Sequence, residues 1–132
     1  MTIEHVRVSQ RAKDQLVRLK RVTGIKNWNL LCRWALCVSL AESSMPSNIA
    51  AHPDSNVEMT WRVFGGRYAD LYLALLKERC LLDGLDTDDA TLAQQFRLHL
   101  HRGIAYLAGN RKLRSIEDLV SMARTDRKAR AV

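Results

Sequence analysis

Proline and glycine are scarce in this chain, two and six in 132 residues, and both prolines fall between residues 43 and 60. That stretch, Ser43-Ser44-Met45-Pro46-Ser47 through His52-Pro53-Asp54-Ser55-Asn56, is dense in turn formers and is expected to be a long, mobile surface loop. Cysteine is equally sparse. Cys32, Cys37 and Cys80 make an odd number with no Cys-x-x-Cys pair, which excludes a disulfide framework. Each lies among apolar neighbours at a helical position, so all three are expected to be buried packing residues. No apolar run approaches the roughly 20 residues of a membrane span. Arg7, Arg11 and Lys13 interrupt the apolar centre that a signal peptide requires, and a cytoplasmic protein is expected.

Recognisable chemistry is missing as well. Gly65-Gly66 has neither the spacing of a nucleotide fingerprint nor a following Lys-Ser/Thr, so it is read as a bend. No Gly-x-Ser-x-Gly sequence provides a strained nucleophile turn. His99 and His101 are two apart and face different sides of a helix, whereas a metal pair wants three or four. His99 on the apolar face is read as a core histidine with a hydrogen bond. Asp86, Asp88 and Asp89 suit a helix start, where the macrodipole favours acids, better than a cation site. These absences point away from an enzyme and call for no cofactor and no metal.

What the chain does have is unevenly placed positive charge. Its formal charge is +7, and residues 1–33 carry +6 of it through Arg7, Arg11, Lys13, Arg18, Lys20, Arg21, Lys26 and Arg33 against Glu4 and Asp14. Residues 34–110 carry −3 and residues 111–132 carry +4. An acidic middle between two basic ends points to a polyanion, of which nucleic acid is the commonest.

With 47% hydrophobic residues, the length allows one core, so residues 1–123 are expected to form a single helical domain and residues 124–132 a disordered basic tail. Ile3, Val6 and Val8 read as a short strand. Ser9 caps a helix with Ala12, Leu16 and Leu19 on one face, and Asp14 stands one turn before Arg18 as a helical ion pair. Thr23-Gly24 ends that helix, and a second starts at Asn27 or Asn29. Val57, Met59, Trp61 and Val63 alternate with polar residues as one extended segment. A helix from Arg67 or Tyr68 to about Asp83-Gly84 has a broad apolar face, suited to the centre of a bundle or to a partner subunit. Another follows the Asp86–Asp89 cluster and stops at Ala108-Gly109-Asn110. Ser115 and Asp118 open a short last helix. The fold class is mainly α, a small helical bundle with a short N-terminal strand and a ribbon-helix-helix-like N-terminal part. No internal repeat interrupts it.

The eight cations of residues 1–33 are the candidate DNA-binding residues, because Lys and Arg displace condensed counterions and Arg can grip a phosphate with two bonds. The second helix offers only Asn27, Asn29 and Arg33 as polar groups, few for reading bases. Backbone or structure-specific binding is therefore expected. The alternatives are a ribbon-helix-helix or helix-turn-helix repressor, a DNA-nicking nuclease using His99, Arg102 or the aspartates, and an assembly subunit docking an acidic partner.

The run Val8-Ser9 to Leu40 with its Thr23-Gly24 turn and Leu31-Cys32-Arg33-Trp34-Ala35, together with Gly66-Arg67-Tyr68-Ala69-Asp70-Leu71-Tyr72 and His99-Leu100-His101-Arg102-Gly103-Ile104, resembles the DndE family of DNA sulfur-modification proteins. The resemblance spans residues 5–108 and departs from the family pattern at Arg67 and Arg21. It implies a small helical protein that assembles as a homotetramer and favours nicked duplex DNA. It further implies an accessory subunit, working beside the partner proteins that carry out the sulfur chemistry of phosphorothioation, a restriction-modification device.

Overall fold

Ser9, Thr60 and Asp88 each accept a backbone amide from the residue three positions on, and each begins a helix. Such caps satisfy amides that the helix itself leaves unpaired. The computed structural model describes residues 3–48 and 52–131, with side chains as far as residue 124. Its elements are β1 (His5–Arg7), α1 (Gln10–Thr23), α2 (Trp28–Ala41), β2 (Glu58–Thr60), α3 (Trp61–Gly65), a 3-10 turn (Gly66–Tyr68), α4 (Ala69–Leu82), α5 (Asp89–Gly109) and α6 (Ile116–Ala131). The molecule is mainly helical, with one short sheet.

β1 and β2 pair antiparallel, Val6 opposite Met59 on the buried side, with His5/Thr60 and Arg7/Glu58 facing out. The strand–helix–helix order expected at the N-terminus is present, and the partner of β1 is β2 of the same chain. Alternation over Val57–Val63 predicts a longer strand than the one formed. Pairing ends where the Trp61 amide meets the Glu4 carbonyl, and the Thr60 hydroxyl then caps α3 through the Val63 amide at 3.1 Å. The turn of helix lets Trp61 and Phe64 enter the core together, Trp61 stacked on Phe64 with centroids 5.1 Å apart and both rings edge-on to Phe96.

α5 is the central helix, packed against α1, α2 and α4. α4, expected at the centre of the bundle or against a partner, lies at its edge. Only Leu76, Arg79 and Cys80 of α4 are buried, while Leu71, Leu75, Leu81 and Leu82 are exposed. Cys32 and Cys80 are buried as expected, and burial pushes the Cys32 thiol up to about 12. Cys37 is exposed, contrary to expectation, because it sits on the side of α2 away from α5.

The loop after α2 is held more firmly than its composition suggests. Arg79 donates to the carbonyls of Leu40 at 3.0 Å, Ser43 at 3.3 Å and Ser44 at 2.7 Å, and to Asp83 at 3.0 Å. Arg102 donates to the Ser39 and Ser44 carbonyls, both at 2.8 Å. α2 has no glycine cap, and these arginines supply donors for the carbonyls its end leaves free. Further on, Ser55 is buried and its hydroxyl donates to the Val8 carbonyl at 2.6 Å. At the C-terminus, α6 is assigned as far as Ala131. Ala, Arg and Lys are strong helix formers, and no Gly or Pro stops the helix there.

Candidate nucleic-acid interface

α1 presents the candidate surface, and its ends are fixed from both sides. The Ser9 hydroxyl accepts from the Ala12 amide at 3.1 Å, the Asp54 carboxylate accepts from the Gln10 amide at 2.8 Å, and the Ser9 amide donates to His101 Nε2 at 3.1 Å. Gly24 closes the helix at φ 76°, a left-handed turn that a Cβ would strain. Ala12, Leu16, Leu19 and Thr23 are buried, so the remaining circumference faces outward.

At 100° per residue, Arg11 and Arg18 fall on one flank of that outward face and Lys13 and Lys20 on the other, roughly 160° apart, with Arg21 between them. Arg11, Arg18, Arg21 and, beyond the turn, Lys26 are exposed and without a side-chain partner among the described residues. Lys13 donates to the Asn56 amide oxygen at 2.6 Å, and the Lys20 ammonium lies 3.3 Å from the Trp28 ring centroid. Neither partner is acidic, so neither lysine is in an ion pair. Asp14 accepts from Gln10 at 3.1 Å and makes no ion pair with Arg18, contrary to expectation, since the glutamine one turn earlier takes the carboxylate.

The other two candidates are committed elsewhere. Arg7 pairs with Glu58 across the sheet at 2.7 Å, and the guanidinium holds that carboxyl below the usual range. Arg33 donates to the Phe64 and Val63 carbonyls at the end of α3, and Asn29 donates to Val63 at 3.1 Å. Two of the three polar groups near the start of α2 are therefore used inside the fold. A cleft of about 510 Å³ opens beside Arg11, lined also by Gln15, His52, Asp54, His101 and Arg102. Asp54 already occupies the helix end there, and an anion would have to displace it.

Of the residues considered for cutting DNA, His99, Arg102 and Asp88 are bonded within the fold. His99 is 1% exposed, and its Nδ1 lies 2.8 Å from the Ser39 hydroxyl, which also receives Arg102 Nε at 2.8 Å. Burial and the neighbouring Arg102 and Arg79 lower the His99 pKa to about 4. His101 has both nitrogens engaged, Nε2 by the Ser9 amide and Nδ1 by the Arg97 carbonyl at 2.7 Å. Asp88 is a helix cap, bonded to the Thr91 amide and hydroxyl. Among the described residues no group of three or more His, Cys, Asp or Glu is placed to hold a metal ion, and no helix is long and apolar enough to cross a membrane. The clamping roles of Arg79 and Arg102 have no sequence signal, because their acceptors are carbonyls more than 30 residues away.

The family described as DNA sulphur modification protein DndE matches residues 5–115. No curated protein matches the chain in sequence. Among solved structures, the crystal structure of DndE from Escherichia coli B7A, described as involved in DNA phosphorothioation modification, superposes with a TM-score of 0.66 at 24% identity, covering 81% of this chain and 98% of that one. At that identity the likeness shows a shared fold.

Proposed function

Because the chain belongs to the DndE family of DNA sulphur modification proteins, we propose that it is the DNA-binding accessory subunit of a phosphorothioation system and holds nicked duplex DNA on the outward face of α1. The observation that carries this reading is the set of uncommitted cations on one helix face. Arg11 and Arg18 are about 10.5 Å apart along the helix axis, the rise of about three nucleotides of one strand. Arg21 and Lys26 extend the same charge past the end of α1, and Lys13 and Lys20 add to it from the far flank. Arg7 and Arg33, neutralised or bound within the fold, are left out of the surface.

Binding of this kind positions the backbone without reading bases. The helix-turn-helix alternative needs free polar groups at the start of α2, yet Asn29 and Arg33 are tied to α3, and the ribbon-helix-helix alternative needs a free β1, which here pairs with β2. A nick lowers the cost of bending the duplex over a rigid face, which favours nicked over intact DNA. The chain contributes binding rather than catalysis, with the sulfur chemistry on partner subunits in the cytoplasm. It assembles as a homotetramer through α4, whose Leu71, Leu75 and Leu82 share one exposed flank beside a groove between α2 and α4 lined by Cys37 and Leu40. Apolar flanks of this kind mark association surfaces.

The test is fluorescence anisotropy with one duplex, nicked and intact, against wild type and Arg11→Glu/Arg18→Glu. Wild type should prefer the nick, and the double variant should bind at least roughly tenfold more weakly with unchanged circular dichroism. Equal binding by the variant removes this face from the interface. A preference for one sequence irrespective of a nick supports a repressor instead, and conversion of supercoiled plasmid to open circle with Mg²⁺ supports a nuclease.

A further inference from the structure

The turn between α5 and α6 carries three cations in four residues, Arg111, Lys112 and Arg114, all exposed and none with a side-chain partner among the described residues. Leu113 between them is 4% exposed and belongs to the core. The turn is also bonded along its length. The Leu113 amide donates to the Asn110 carbonyl at 3.1 Å, the Lys112 amide to the Asn110 side-chain oxygen at 3.0 Å, and the Arg114 amide to Asp118 at 2.9 Å. The Asn110 side-chain nitrogen donates in turn to the Met122 sulfur at 3.4 Å.

A stretch needed only to connect two helices gains nothing from this combination. An apolar anchor and a fixed backbone hold the charges in place before any ligand arrives, which reduces the ordering cost of binding. Nor do local acids absorb the charge. Asp118 spends its carboxylate on the Arg114 amide and pairs with none of the three side chains. The α6 helix that follows the turn also contacts α1.

We infer that Arg111, Lys112 and Arg114 form a second phosphate-binding surface, separate from α1, that grips the sugar-phosphate backbone of the bound duplex away from the nick. This rests on the DNA-binding reading above. It assigns a role to the basic C-terminal end, which the α1 face leaves unexplained, and its partner chemistry is the phosphodiester backbone rather than any base.

The experiment measures nicked-duplex binding over a salt series for wild type, for Arg111→Ala/Lys112→Ala/Arg114→Ala, and for each single change. The triple variant should bind more weakly, and its slope of log affinity against log salt should fall by about 2.7, close to 0.9 for each lost phosphate contact. Each single change should lower the slope by about one contact, which keeps the test sound if the triple variant folds poorly. Wild-type affinity and slope in the folded variants would overturn the inference while leaving the α1 face intact, and would assign the turn to a protein partner. Absence of wild-type binding to either duplex would overturn both.

Discussion

The Ser39 hydroxyl oxygen accepts from Arg102 Nε and lies 2.8 Å from His99 Nδ1. With its proton directed to Nδ1, that hydroxyl matches a neutral imidazole carrying its own proton on Nε2. A second ring proton would break that relay and put a buried cation beside Arg102 and Arg79, with Asp83 alone opposing them. The folded pKa is thus depressed, to about 4 from the ordinary 6.5. Stability from a neutral buried histidine is complete above the unfolded value and is lost as the pH falls through the folded one. Urea denaturation should therefore show a loss of up to about 3 kcal/mol between pH 7 and pH 4. His101, lowered by burial, adds in the same direction. His99→Gln should flatten the profile, and an unchanged slope would mean that carboxylates elsewhere set the acid limit.

At the scale of elements, the tightest join is where α2 crosses α5. A Cβ on Gly103 would overlap the backbone carbonyl of Ala35, so the two helices meet main chain to main chain. Gly103→Ala leaves helix propensity better and packing worse, and backbone cannot move aside as a side chain can. We expect a cost of about 3 kcal/mol or more, read in thermal denaturation as a melting point lower by roughly 10 °C. The sequence shows Gly103 on an apolar face and nothing more, because which residue lies opposite depends on the crossing. Helix starts were legible for the opposite reason. Ser9, Asp88 and Ser115 act on amides three residues away, a relation that spacing alone reveals. Trp61 belonged to neither case, since alternation from Val57 to Val63 suits a strand until the Thr60 cap and the end of pairing with β1 turn the chain. The candidate cations were visible by charge, yet whether one is free depends on distant partners such as Glu58 for Arg7 and Phe64 for Arg33.

For the whole molecule, the leucines that α4 leaves outside are where the proposed assembly and the proposed DNA binding can be tested together. Leu82 is 76% exposed and Leu71 53%, a large apolar exposure for one short helix whose neighbours have closed their own core. A second copy covering that flank would remove it from water, at about 25 cal/mol for each Å² of apolar surface. It would also put a further α1 face on the same particle, turning later contacts with one duplex into intramolecular events. Leu71→Glu/Leu82→Glu lies outside the buried core, so it should leave the protomer folded and shift its mass by light scattering to that of one chain. Affinity for nicked DNA should then drop on the order of 10²-fold although no cation has changed. Retention of both mass and affinity would place the subunit contact on another face. Loss of mass with full affinity would show that a single α1 face suffices.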